Sequence, residues 1–464
     1  MKCCGIEVPV RTLPKLDPSF TPFYLFQKAF LQSAGTAHPV GIAIERADGL
    51  TSVMQTYIHG TKEQYAADCY YIDRLVKIAL WMKGGFRIYV SDSHEMYEYL
   101  HKTYAKDGAR SFDYHFMGEI YEHPFEVLWT EHLPEEKNDP QKQGGHTDGC
   151  RIGFDAGGSD RKVSAVIDGE SVFDEEVVWF PKTNEDPDYH YDGIVSALKA
   201  AAAHLPRVDA VGVSSAGIYI HNRTMRASLF NKVPADLFEE KVKDIYIRAI
   251  TDTFGDIPFA VANDGDVSAL AGKLSLNENS VLGIAMGTSE AAGFVDENGC
   301  ITGWLNELAF VPIDCSPSAM EDEWSTDIGC GVKYFSQDAV IKLAKPAGIE
   351  LEEALSPAEK LKIVQQKMED GDPKARDIYE SIGVYLGHTL AFYYDLYKMR
   401  HVLLLGRVMS GKGGDLILKT CREVLAGDYP ALKDCFIPSL PDERFRRVGQ
   451  SATAASLPAL RKES

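Results

Sequence analysis

Three things are scarce in this 464-residue chain: long apolar runs, regularly spaced cysteines and positive charge. No stretch approaches the length of apolar residues that a membrane span needs, and Met1-Lys2-Cys3-Cys4-Gly5 lacks the apolar core of a secretory leader. The nine cysteines show no framework spacing, so a reducing cytoplasm is the expected compartment. A formal net charge of −20 disfavours a broad nucleic-acid or anionic-membrane surface. Any phosphate would have to be met locally, by backbone amides, a metal ion and a few basic side chains. What is plentiful is core: 45% hydrophobic residues in a chain of this length predict two or three domains.

The most informative segment is Asp155-Ala156-Gly157-Gly158-Ser159, set between the apolar run 151–154 and the alternating run 163–169. It reads as a strand, a tight turn and a second strand. Paired glycines let amide N–H groups approach phosphate oxygens, Ser159 adds a hydroxyl, and Asp155 at the strand end suits a Mg²⁺ ion held through water. A plain hairpin would read the same way in isolation. Further strand ends follow at suitable spacing. Residues 208–214 run into Ser215-Ala216-Gly217, and 259–262 into Asn263-Asp264-Gly265-Asp266. Residues 280–286 run into Gly287-Thr288-Ser289 with 291–296 returning, and 401–405 into Gly406-Arg407-Val408-Met409-Ser410-Gly411-Lys412-Gly413-Gly414. Small and acidic residues at successive strand ends predict one crevice lined by amides and carboxylates.

This series resembles the superfamily of sugar kinases, seventy-kilodalton heat-shock chaperones and actin, and within it the ROK family of repressors, open reading frames and sugar kinases. The resemblance spans about residues 150–460. It implies an α/β fold, a two-lobed actin-like ATPase of ribonuclease H-like type, with ATP and Mg²⁺ in a cleft. Asp155, Gly157, Gly158 and Ser159 look like the first phosphate motif, Gly287 and Thr288 like the second, and Gly406, Ser410 and Gly411 belong to a segment like the adenosine motif. Asn263-Asp264 before an Ala-rich helix near Val267 looks like the catalytic segment. Asp264 is the expected general base, with Asn263 orienting the acceptor and Asn231 as a further acceptor-binding residue. Asn263 and Asp264 also suit a helix cap, which is compatible with catalysis. Asp266 reads as an N-terminal helix charge and Lys412 as a surface lysine. Arg223 and Arg226 suit either an acidic sugar or local salt bridges.

At the sugar end the sequence departs from that family. Typical members carry Glu-x-Gly-His and a cysteine-rich zinc loop; here Asn306-Glu307-Leu308-Ala309-Phe310 keeps the sugar-binding glutamate as Glu307 but puts Phe310 in place of the histidine. Cys315 and Cys330 alone do not make the four-ligand set of a structural zinc, so no zinc is expected. Gly331 and Val332 stand where Leu and a second sugar carboxylate would follow Gly329-Cys330. Asp314, Glu321, Asp322, Glu323 and Asp327 form an acidic insert, read either as replacement contacts or as a solvated loop.

Residues 1–132 read as an accessory α/β domain, 133–149 as a linker and 150–464 as the kinase-like region. The helix expected at 71–82 runs into Lys83-Gly84-Gly85 and a strand rather than a recognition helix, against a DNA-binding repressor. The expected activity is ATP-dependent phosphorylation of a small-molecule sugar or sugar derivative, with no nucleic acid and no membrane partner, and the resemblance allows a homodimer. The alternative is a carbohydrate sensor or scaffold with little or no turnover.

Overall fold

The computed structural model describes residues 1–138, 143–442 and 449–461. Residues 139–142 of the expected linker, and 443–448 and 462–464 of the expected kinase region, lie outside the described residues. The fold is α/β. Two compact units emerge: one comprises Met1–Asp139, Ile284–Ala292 and Trp304–Leu440, the other Pro140–Gly283, Gly293–Gly303 and Pro441–Ser464. This grouping differs from boundaries at 132 and 150, since the N-terminal residues share a unit with 304–440.

In the first unit, β1 (His38–Glu45), β2 (Thr51–Ile58), β3 (Arg87–Ser91) and β4 (Glu126–Trp129) form a sheet of order β2-β1-β3-β4. β1 is antiparallel to both neighbours, and β3 pairs parallel with β4. The helix Tyr65–Lys83 explains why these elements do not stand apart. Its Arg74 donates to both carboxylate oxygens of Asp327 at 2.9 and 3.1 Å and also to Asp73. Lys77 reaches Asp113 at 3.0 Å and Asp327 at 3.4 Å, while Arg110 bonds Asp73 and pairs with Asp327. Three cations balance three carboxylates out of water, and a network of this kind tolerates loss of no single partner.

The acidic insert is therefore not simply solvated. Asp327 sits in that network, Asp314 accepts from Thr21 N, Ser316 N and the Tyr334 hydroxyl, and Asp322 accepts from Ser325. Phe310 has a related role: its ring lies 4.5 Å from Trp81 and 4.8 Å from Trp324, inside an aromatic cluster with Phe116. A histidine would have no polar partner in such a setting.

In the second unit, β5 (Cys150–Ala156), β6 (Asp160–Ile167), β7 (Glu170–Val178), β8 (Ala210–Ser215) and β9 (Phe259–Asn263) form a mixed sheet of order β9-β8-β5-β6-β7. β8 is parallel to β5 and β9, whereas β6 and β7 return antiparallel. Strand alternation divides the labour. Ile152, Phe154, Val211 and Val213 share a core cluster with residues of the helices Pro187–Ala202 and Ile245–Phe254. Gly153 and Gly212 point the other way, where any Cβ would overlap Ser451 O and Ala454 O of the helix Gln450–Ala455. Their lack of side chains lets that helix lie directly on the sheet, on the same face as Asp155 and Ser214.

A further sheet has the order β11-β10-β12-β13, with β10 Val281–Met286, β11 Glu290–Val295, β12 His401–Leu405 and β13 Ile437–Ser439. The long helix Pro373–Tyr397 precedes β12. Among the described residues, no helix is long and apolar enough to cross a membrane.

Candidate functional site

Parallel register places the second unit's polar residues side by side. Ser214 faces Asp155 across β8 and β5, and Ser215 faces Asn263 across β8 and β9. Ser214 Oγ donates to Asp155 Oδ1 at 2.9 Å. From the opposite layer Gln450 Nε2 donates to Ser214 Oγ at 3.2 Å and to the Asp264 carbonyl at 2.8 Å. Three strand ends and one helix are thereby tied together.

Asp264 opens the helix Asp264–Leu276, three residues before the start expected at Val267. Its Oδ1 accepts from Gly265 N at 3.0 Å. Burial pushes its pKa up, opposed by that amide and by the Lys182 charge. Burial likewise pushes Asp155 up to about 6, Ser214 pulling it down and the Asp264 charge adding to the rise. The Asp264 charge is thus felt at Asp155. Asn263 is the helix cap: Oδ1 accepts from Gly265 N and Nδ2 donates to Gly217 O, both at 2.7 Å. Both ends of its amide serve the backbone. Asp266 is buried and accepts from Phe294 N, as a helix-start residue bracing a neighbouring strand. Asn231 is exposed after a short 3₁₀ turn, Ser228–Phe230, with no bond to Asn263 or Asp264. Arg223 pairs with Asp244 at 2.9 Å.

The glycine turn after β5 is held from behind. Trp179 Nε1 donates to Gly157 O at 2.7 Å and Trp179 N to Ser159 O at 3.2 Å. The amides of Gly157, Gly158 and Ser159 have no intrachain acceptor among the described residues. Carbonyls tied back and N–H groups left over make an anion cradle. Lys182 lies over it, its Nζ 2.9 Å from where a Cβ on Gly158 would sit. Lys182, Trp179, Ser214 and Gln450 all escape a motif-based reading. Ser214 was visible as a polar residue ending a buried strand, but nothing in the local pattern marks the others.

The first unit holds the remaining expected residues. Gly287 N donates to Ser289 O at 2.9 Å, leaving Thr288 N and Ser289 N without an intrachain acceptor among the described residues. Gly406 has a φ of 92°, and a Cβ there would overlap the Met286 carbonyl, so β12 can end beside β10 only with glycine. Gly413 and Gly414 make similar close approaches to Tyr379 and Met409 O. Ser410 caps the helix Gly411–Asp428 without a side-chain bond, and Gly411 adopts a φ of 64° against Glu369. Glu369 Oε1 accepts from Lys412 N at 2.9 Å, and Lys412 Nζ donates to Glu369 O at 2.6 Å. That helix start is served by the chain's own carboxylate. Glu307 N donates to Trp81 O and Asn306 N to Met82 O, so the segment expected to read sugar hangs on the N-terminal helix Tyr65–Lys83. Cys315 and Cys330 lie in different settings: Cys315 interacts with Cys3 and Tyr70, and Cys330 Sγ lies 3.7 Å from Asp327. Among the described residues no three His, Cys, Asp or Glu side chains converge on a metal position.

Residues 151–426, more than half the chain, match the ROK family, and the chain belongs to that family. The fold is similar to that of a ROK hexokinase from Thermus thermophilus, with 18% identity over 66% of this chain and 96% of that one, at a TM-score of 0.52. A ROK family glucokinase from Streptomyces griseus, solved with glucose and AMPPNP, is 19% identical over 66% of this chain and 98% of its own, with a TM-score of 0.49. A ROK family transcriptional regulator, a homologue of the Escherichia coli MLC protein, is 19% identical over 66% of this chain and 77% of its own, with a TM-score of 0.48. The similar structures thus include both kinases and a regulator. No curated protein matches the chain.

Proposed function

We propose that this protein transfers the terminal phosphoryl group of ATP to a hydroxyl of a sugar or sugar derivative, with Asp264 as general base. The reading brings with it the two-lobed actin-like ATPase fold for residues 150–464, a cytoplasmic setting and a role for residues 1–132 in supporting the sugar-binding segment. The observation that carries it is Asp264 itself: a carboxyl at a strand end, made more basic by burial, beside Asp155 and the amide cradle of Gly157–Ser159. A base of raised pKa takes a hydroxyl proton more readily as the new O–P bond forms. The bond from phosphorus to the leaving oxygen breaks, ADP departs with that electron pair, and the proton ends on Asp264.

Gly157, Gly158, Ser159, Thr288 and Ser289 would spend their free N–H groups on phosphate oxygens, and Lys182 would add a positive charge. Asp155, an oxygen ligand with one oxygen left beyond its Ser214 bond, fits a Mg²⁺ ion held through water. Bound Mg²⁺ supplies charge neutralisation at the phosphates. Asn263 acts chiefly by fixing the helix that carries Asp264, and Glu307 with Asn231 would take acceptor hydroxyls. Gly406, Ser410 and Gly411 would flank the adenosine, the glycines being needed first for packing.

The test is ADP release from ATP·Mg²⁺ with a panel of neutral, amino, acidic and phosphorylated sugars. Sugar-dependent ADP release is expected. Sugar binding, read as a melting shift, with no ADP from any acceptor would instead support a carbohydrate sensor. Phe310 and the Glu369-occupied helix start are the features that favour that second reading.

A further inference from the structure

Glu290 is the most anomalous side chain in the first unit. It follows the Gly287-Thr288-Ser289 turn on β11, is 3% exposed, and neither carboxyl oxygen has a hydrogen-bond partner among the described residues. Among the described residues no positively charged group acts on it; burial, and after it the charge of Glu307, bear on it. Buried carboxyls elsewhere in this chain, such as Asp327 and Asp113, are paired with Arg or Lys. A buried, unpaired carboxyl beside a second carboxyl is costly unless something neutralises it.

Its surroundings are built from oxygen. Gly331 has no side chain where a Cβ would overlap both Glu290 Oε2 and Leu308 O, so the carboxyl and a backbone carbonyl share the space that glycine leaves. Tyr393, fully buried on the helix Pro373–Tyr397, also has an unpartnered hydroxyl and senses the Glu290 charge. Two buried polar groups unpartnered among the described residues, the Glu290 carboxyl and the Tyr393 hydroxyl, thus lie near a second carboxyl. Carboxyl, hydroxyl and carbonyl oxygens are the ligands a compact hard cation takes, and burial with the Glu307 charge pushes the Glu290 carboxyl well up, so that a single positive charge could stand in for the proton it otherwise holds.

We propose that Glu290, with Tyr393, Leu308 O and Glu307, forms a binding site for a compact monovalent cation, either an alkali-metal ion or the protonated amine of an acceptor. The site is independent of phosphoryl transfer in its chemistry, but its amine form rests on the reading that Glu307 binds the acceptor. It would supply beside Glu307 a second polar contact in a chain that has Val332 where the family carries one.

The experiment is thermal unfolding of the full chain in choline chloride, without nucleotide, on adding KCl, NaCl, glucosamine or glucose at matched ionic strength. The wild type is expected to gain about 3 °C or more with at least one of K⁺, Na⁺ or glucosamine, and Glu290→Gln to lose that gain while melting no lower in choline alone. Tyr393→Phe is expected to weaken the gain. A gain with an alkali ion identifies a free cation. A gain with glucosamine beyond glucose identifies the acceptor's amine. No gain with any cation, or an equal gain in Glu290→Gln, overturns the proposal. Either result stands whether or not ADP is ever released, so it is separable from the kinase reading.

Discussion

At the scale of single residues, function here is a matter of which polar groups are left unspent. Asn263 spends both ends of its amide on Gly265 and Gly217, whereas Asp264 keeps one carboxyl oxygen without a hydrogen bond among the described residues. Asp155 gives a stability prediction with a definite sign. Its pKa is raised from 3.8 to about 6, so the folded state holds a proton that the unfolded state has lost between those values. Its contribution to stability is therefore lost as pH rises from about 4 to about 6. Asp155→Asn, which keeps an acceptor for Ser214, is expected to be more stable than wild type by about 1 to 2 kcal/mol above that window and equal below it, in denaturant unfolding across pH. Full conversion of the shift would give about 3 kcal/mol, and residual solvent contact reduces it. Trp179→Phe tests the cradle: losing the bond to Gly157 O is expected to weaken ATP binding about threefold to tenfold with little change in turnover, read by titration with a fluorescent nucleotide.

At the scale of elements, the strands and their end turns were legible because alternation and glycine chemistry are local. The hairpin around Gly158, the strand ending at Asn263 and the strand His401–Leu405 stand where the sequence puts them. The helix after Asn263 begins earlier than Val267 because the Asn263 cap fixes its first turn at Asp264. What local pattern could not reveal is pairing between distant segments. The helix Gln450–Ala455 on Gly153 and Gly212, Trp179 behind Gly157, and Glu369 at the start of Gly411–Asp428 each join residues far apart in sequence. Gly153→Ala and Gly212→Ala are each expected to cost more than about 2 kcal/mol, since the new methyl meets backbone that cannot step aside. Gly427→Ala, in a helix and open to space, is expected to gain about 0.5 to 1 kcal/mol. Equal effects at all three positions, measured by denaturant midpoint, would count against the packing account.

At the scale of the whole molecule, the family match covers residues 151–426, yet residues before it are part of what holds the segment around Glu307, the proposed acceptor-binding segment. Arg74, Lys77 and Arg110 meet Asp327, and Trp81 packs on Phe310. Asp327→Ala is expected to destabilise by about 3 to 5 kcal/mol by leaving three cations to share two carboxylates, Asp73 and Asp113, in a dry interior, and a chain starting at residue 150 is expected to be insoluble or to melt without cooperativity. The helix Tyr65–Lys83 thereby holds the backbone of Asn306 and Glu307. The proposed reaction turns on the carboxyl at the start of the helix Asp264–Leu276. The most direct measurement is single-turnover phosphoryl transfer by Asp264→Asn against wild type, with nucleotide and acceptor affinities measured alongside. The account predicts transfer slowed by about a thousandfold or more with both affinities held within about threefold; transfer at the wild-type rate in the variant would contradict it.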